Sequence, residues 1–207
     1  MDEVGRGALF GSVVAAAVIL PQKTSSLAKA GLRDSKQLTR EQREALDRKI
    51  RKTAIAISVA EADAETIDRV NIYQATRLAM LSAVEGLAEK PDHLLIDAMR
   101  IEHPCPQTKL IYGDSLSLSI AAASVIAKVY RDAKLRELDS QHPGYGLAEH
   151  KGYGTPAHRR ALKLYGPCPL HRKSFAPVGA FFGNVQTAEE TDQEVEMEDL
   201  LNLTSYS

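Results

Sequence analysis

An α/β domain built on a mixed sheet is the fold class this sequence predicts. Three features predict it: an apolar, β-branched run near the start, helical patterns that then alternate with short strands, and two short strands that end at an aspartate. Residues 8–20, ALFGSVVAAAVIL, are nearly all apolar and carry no helix cap, so they read as a buried strand that Pro21 ends. A loop follows, and Thr39-Arg40-Glu41-Gln42 then has the form of a capping box. It opens a helix with Leu46 and Ile50 on one face. Residues 53–60, TAIAISVA, alternate and predict a second strand. Ile72, Ala75, Thr76, Ala79, Met80, Ala83, Val84 and Leu87 then recur at helical spacing, with small residues that would let the helix pack closely on a sheet.

Two further strands are expected at residues 93–98, ending in Asp97, and at 108–114, ending in Gly113-Asp114. From Leu116 to about Asp139 the pattern is helical again, with Ile120, Ala121, Val125, Ile126, Val129 and Ala133 toward the core. The segment HPGYGLAEHKGYGT is loop-rich. Thr155 as N-cap, Pro156 at the first helical position and Gly166 as terminator then bracket a short basic helix. Residues 1–185 are expected to form one domain, with about 140–185 as a basic helical cap over one end of the sheet. Residues 186–207 are expected to be an acidic, disordered tail.

The chain has 207 residues, 44% hydrophobic and 26% charged, which is enough to bury a sizeable core. No apolar run reaches the ~18–20 residues of a membrane span, and no basic segment precedes the longest one. Cys105 and Cys168 show no metal-type spacing and make no disulfide framework, so a reducing cytoplasm is the expected compartment. The net charge of −1 conceals an asymmetry. Seven of the 27 acids lie in residues 186–207, so residues 1–185 carry 26 Lys and Arg against 20 Asp and Glu. Between His150 and Lys173 there are bases and histidines but no acid, a local footprint for a polyanion or else a solvated helix face.

Asp97 and Asp114 sit at predicted carboxyl ends of strands, where open α/β sheets place ligands. Asp2 and Glu3 precede the Gly-rich turn Gly5-Arg6-Gly7. Each acid alone reads as a strand-end or capping carboxylate. Together they would repel one another unless a cation sits between them, and oxygen ligands favour Mg²⁺ or Mn²⁺. Neighbours on a strand face opposite ways, so Asp2 and Glu3 can share a site only if the strand ends or bends there.

Five blocks in this order, DEVGRG (2–7), DSKQL (34–38), LLIDA (94–98), GDSLSLSIAAASVIAKVYRD (113–132) and HKGYGTPAH (150–158), make residues 2–180 resemble bacterial ribonuclease HII, the type 2 ribonucleases H. The resemblance implies a ribonuclease H-like mixed five-stranded sheet flanked by helices, with a helical C-terminal cap. It implies cleavage of RNA in RNA–DNA hybrids and incision 5′ to single ribonucleotides in duplex DNA, by two-metal-ion hydrolysis that leaves 3′-hydroxyl and 5′-phosphate ends. Asp2, Glu3, Asp97 and Asp114 then match the metal and catalytic acids, with two Mn²⁺ or Mg²⁺ ions. Gly5, Arg6 and Gly7 match the loop that reads the ribose 2′-OH, and Tyr153 the ring that stacks on the following deoxyribose; Tyr145 in PGYG is the tyrosine most easily confused with it. Lys36, Lys128 and Arg159 (or Arg160) are candidate phosphate ligands, and Asp132 a supporting acid or ion-pair partner. His150, His158 and His171 are expected at the surface or on phosphate. The implied partners are hybrid and ribonucleotide-containing duplex, with a monomeric protein and no membrane.

Members of this family carry several apolar residues before the first acid, whereas only Met1 precedes Asp2 here. The simplest reading is a start placed too late or a truncated chain; if the sequence is natural as written, the central strand is shortened and Asp2 sits on a frayed end. Two alternatives follow: a hybrid-binding protein without catalysis, should the metals be lost, and a phosphatase of small esters, which the extended basic cap argues against.

Overall fold

The computed structural model describes residues 1–32 and 38–183. The expected acidic tail and Lys36 lie outside the described residues. Strand β1 (Asp2–Val4) pairs antiparallel with β2 (Val13–Ile19), and β2 pairs antiparallel with β3 (Ala56–Ala62). Strands β4 (Leu94–Asp97) and β5 (Gln107–Leu110) form a parallel pair. Met1 joins the two ladders: its amino group donates to the Leu95 carbonyl at 2.7 Å, and its carbonyl accepts from the Asp97 amide at 3.2 Å. The strands therefore run β3-β2-β1-β4-β5 across a mixed sheet, the expected α/β class. Met1 is buried and bonded, so the expected frayed end is corrected: β1 is short but anchored on both sides.

Alternation along β2 sorts the core. Val13, Ala15 and Ala17 pack with Ala75, Ala79, Met80 and Ala83 of α3 (Ala64–Glu85). Val14, Ala16 and Val18 pack with Ala121–Ala123, Val125 and Ile126 of α5 (Leu118–Gln141) and with Leu46 and Ile50 of α2 (Arg40–Thr53). The alanines let α5 lie close to β1 and β2, which places polar Ser124 within reach of Asp2. The capping box at Thr39 and Gln42 forms as expected. A short helix, α1 (Ser25–Lys29), precedes it.

Three expectations are corrected. The run 8–20 is a strand only from Val13, because Gly11 takes φ +77° and residues 8–12 turn away to meet the cap. The strand expected to end at Asp114 stops at Leu110. Tyr112 takes a left-handed φ of 55°, and Asp114 lies in a one-turn helix, α4 (Gly113–Leu116). On α5, Ala133 is exposed, while Arg131, Asp132 and Leu135 are buried.

The cap comprises α6 (Leu147–His150), α7 (Pro156–Tyr165) and a 3₁₀ turn at Gly179–Phe182. Thr155 caps α7 with Pro at its start, as the sequence predicts. Phe10, Leu135, Tyr145, Leu147 and Ala161 form its own small core. Among the described residues no helix is long and apolar enough to cross a membrane.

Candidate active site

Register places Asp2 opposite Ala16 and Glu3 opposite Ala15, hence on opposite faces of β1, and the strand ends one residue later. Asp2 is buried; one of its oxygens accepts the Glu3 amide at 2.8 Å. Burial pushes its carboxyl up to about 6, against the pull of Ser124, and nearby Asp97 adds to the rise. Burial also pushes Glu3 up to about 8, and the charges of Asp2 and Asp97 reinforce it. Arg6, with Nη1 3.8 Å from Glu3 Oε1, only partly offsets this, and Glu3 Oε2 is buried with no hydrogen-bond partner. Asp97 ends β4, as expected, and its Oδ1 accepts the Gly113 amide at 2.7 Å. Asp114 is buried in the next position, its Oδ1 accepting the Ser115 amide at 3.1 Å.

Asp2, Glu3 and Asp97 thus feel one another's charge, and Asp114 is joined to them through the Gly113–Asp97 bond. As the side chains stand, no three Asp, Glu, His or Cys among the described residues are gathered closely enough to hold an ion. The donors nevertheless fit one: hard oxygens, mutual repulsion and an orphaned buried oxygen all favour a divalent cation.

The pH consequence has a definite sign. Raised carboxyls hold protons in the folded state that the unfolded chain has lost, so they cost stability as pH climbs from about 4 toward 8. The buried Met1 amine, lowered to about 6, acts oppositely between about 6 and 8. A cation must displace the carboxyl protons. The rise in melting temperature produced by Mg²⁺ is therefore expected to be near zero at pH 5.5 and roughly 5 °C at pH 8. A shift independent of pH would contradict this site.

The Gly5-Arg6-Gly7 loop is held from far away in sequence. The Arg172 guanidinium is buried and donates to the carbonyls of Gly11 (2.9 Å), Arg6 (2.7 Å) and Gly5 (2.8 Å). Arg131, also buried, donates to Ser12 (3.1 Å), Lys151 (2.9 Å) and Phe10 (3.2 Å). Burial lowers both arginines, Arg172 to about 9. Neither entered the sequence reading. Arg131 did have a signal, since it lies four residues from both Ala127 and Leu135 on the buried stripe of α5.

Tyr153 is half-buried beside this loop. It bridges to Ala8, and the Arg131 guanidinium carbon lies 5.7 Å from its ring centroid. Tyr145 is buried with its hydroxyl donating to Gly166 O at 2.7 Å, which makes it a packing residue. Lys128 is ion-paired to Asp132 at 2.8 Å, the partnership expected of Asp132. Arg159 is exposed, with Nε on Gly154 O at 2.9 Å. The surface placement expected for His158 and His171 is corrected, while His150 is half-buried. His158 and His171 are fully buried, because they pack with Tyr145 and, for His171, with Phe10.

A ribonuclease HII family model matches residues 1–178. The chain belongs to the ribonuclease HII family. A ribonuclease HII from Koribacter versatilis (strain Ellin345) is 58% identical over 178 residues, 86% of this chain and 69% of that relative. The crystal structure of ribonuclease H2 from Pyrococcus horikoshii OT3 matches with a TM-score of 0.75 at 25% identity, covering 86% of this chain and 93% of that one. Bst-RNase HIII, solved in complex with Mn²⁺, matches with a TM-score of 0.64 at 22% identity, over 88% of this chain and 68% of that one, and shares the fold. As a ribonuclease HII the chain is a hydrolase, a ribonuclease H-type endonuclease acting on RNA–DNA hybrids.

Proposed function

We propose that this ribonuclease HII incises duplex DNA 5′ to a single embedded ribonucleotide, as well as cutting RNA in hybrids. It acts through two divalent ions and leaves 3′-hydroxyl and 5′-phosphate ends. The observation that carries the reading is the mutually repelling carboxylate group at the start of β1 and the end of β4, with Asp2 buried, Glu3 and Asp97 partly buried and Glu3 Oε2 unbonded.

Asp2, Glu3, Asp97 and Asp114 would hold Mn²⁺ or Mg²⁺. When bound, such ions supply an activated water and charge for the leaving oxygen. The protein's own part is to bring these acids together, with Asp2 and Asp114 buried and Glu3 and Asp97 partly exposed. It also aims the Gly5-Arg6-Gly7 loop at the sugar. Arg172 already occupies the carbonyls of Gly5 and Arg6, so the loop's amides and the open face at Gly7 are left to meet the 2′-OH. Tyr153 offers a flat face to the following deoxyribose. Arg159 and Lys128 stand as candidates for phosphate contacts, which position a duplex without reading it.

The test is a nicking assay on a DNA duplex with one ribonucleotide, in Mg²⁺, Mn²⁺ or EDTA. Incision 5′ to the ribonucleotide that EDTA abolishes is expected. A duplex that binds but stays uncut in either metal would overturn the proposal.

A further inference from the structure

The cap contains a directed chain of neutral imidazoles beneath Tyr153. The Cys168 amide donates to His171 Nδ1 at 3.0 Å, so a neutral His171 carries its proton on Nε2. That nitrogen lies 3.1 Å from His158 Nε2, which must therefore accept, leaving the His158 proton on Nδ1. Nδ1 in turn lies 3.0 Å from the Tyr153 carbonyl, toward which it donates. His150 stacks on His158 at 4.4 Å and is fixed separately: the Gly152 amide donates to its Nδ1, and its Nε2 donates to the Tyr145 carbonyl.

Every proton in this chain has one allowed place. An added proton on His158 or His171 would set two N–H groups against each other. The surroundings oppose it. Burial and the neighbouring imidazoles hold both rings low, His171 to about 4, with His142 and His150 among those neighbours. The cationic side chain of Arg172 follows directly in the chain, and Tyr145 and Cys168 bring no negative charge at neutral pH.

The backbone leading to Tyr153 needs such an anchor. Lys151 takes φ +55° and Gly152 φ +79°, left-handed geometry that a non-glycine residue such as Lys151 adopts only under strain. Besides His158, the segment is held by the Tyr153 amide on His150 O at 3.1 Å, by the Thr155 amide on Tyr153 O at 2.8 Å, and by the bridge to Ala8, beside which the Leu9 amide donates to Gly152 O at 2.8 Å.

We propose that His158 and His171 are positioning residues: their neutral, hydrogen-bonded pair fixes Tyr153, and so sets the preference for a lone ribonucleotide over a continuous hybrid. This rests on the reading of Tyr153 given above. The readout is the ratio of cutting rates on a duplex with one ribonucleotide and on a continuous hybrid, in the same metal. His158→Gln places its amide at the Nε2 end and loses the donor to Tyr153, while His158→Asn keeps a donor at the Nδ1 end. The ratio is expected to fall roughly five- to tenfold for Gln and to stay within about twofold of wild type for Asn.

Equal ratios in the two variants would overturn the proposal, as would an equal loss on both substrates. Tyr153→Ala separates the two ideas: a ratio unchanged in that variant means that the Tyr153 reading has failed. If the ratio changes there but Gln and Asn behave alike, only the imidazole pair has failed. Should the Gln variant not fold, ¹⁵N spectra of the histidines in the unmodified protein decide. Nδ1–H at His158 and Nε2–H at His171 support the pair, whereas Nε2–H at His158 overturns it.

Discussion

Asp97→Asn is expected to cut hybrid cleavage by about a thousandfold or more, the loss of several kcal/mol of metal-borne stabilisation. Folding should survive. Asp97 Oδ1 only accepts the Gly113 amide, and an asparagine oxygen can do the same. Stability should hold or rise slightly, because the Asp97 charge is one of those pushing Asp2 and Glu3 up. Removing it takes away the lesser push, while burial, the larger cause, still holds both carboxyls up. Hybrid binding in EDTA should be unchanged, since the candidate phosphate contacts lie elsewhere, at Lys128 and Arg159. The Mg²⁺-dependent shift in melting temperature should shrink in parallel with activity. Wild-type cleavage in this variant would remove Asp97 from the metal site.

Gly5→Ala should be the most damaging single-methyl change, costing about 2–4 kcal/mol and erasing selectivity for ribonucleotides. Gly5 has φ +92°, and a Cβ there would land on the Arg131 guanidinium, 2.7 Å from Cζ. Arg131 cannot swing aside cheaply, because its three bonds hold the carbonyls of Ser12, Lys151 and Phe10. A displaced Arg131 would take its donors from three carbonyls, that of Phe10 buried and those of Ser12 and Lys151 partly buried. Gly7 supplies the contrast: a Cβ there meets nothing within 4 Å. Gly7→Ala should melt like wild type and lose activity only if substrate approaches that face. Thermal melts and the two-substrate cutting ratio on both variants check this, and a Gly5→Ala protein with wild-type melting would contradict it.

Much of the fold could be read from local pattern, and the failures share a cause. The caps at Thr39 and Thr155 and the faces of α3 are properties of neighbouring residues, and they formed as expected. Asp97 was placed correctly at a strand end because β4 is short and sharply bounded. Residues 8–12 misled because they are as apolar as β2, and nothing local reveals that two distant arginines take their carbonyls. His158 and His171 looked like surface residues because the surrounding sequence is basic. Their burial depends on Phe10 and Tyr145, which approach from other segments. Asp114 was misplaced by the left-handed turn at Tyr112, a residue that seldom adopts that conformation.

The arginine clamp has a consequence for how the protein is made. Gly5 and its donor Arg172 are 167 residues apart, and Phe10 and Arg131 are 121 apart. Contacts so distant must wait for most of the chain, since loop closure precedes any gain from the bond. During vectorial synthesis the Gly5-Arg6-Gly7 loop leaves the ribosome long before Arg172 and stays without that part of its clamp until Arg172 follows. The paired strands that carry Asp2 and Glu3 close over much shorter loops. A nascent chain can therefore pair β1 with β2 early, whereas Arg172 closes on the Gly5-Arg6 carbonyls almost last.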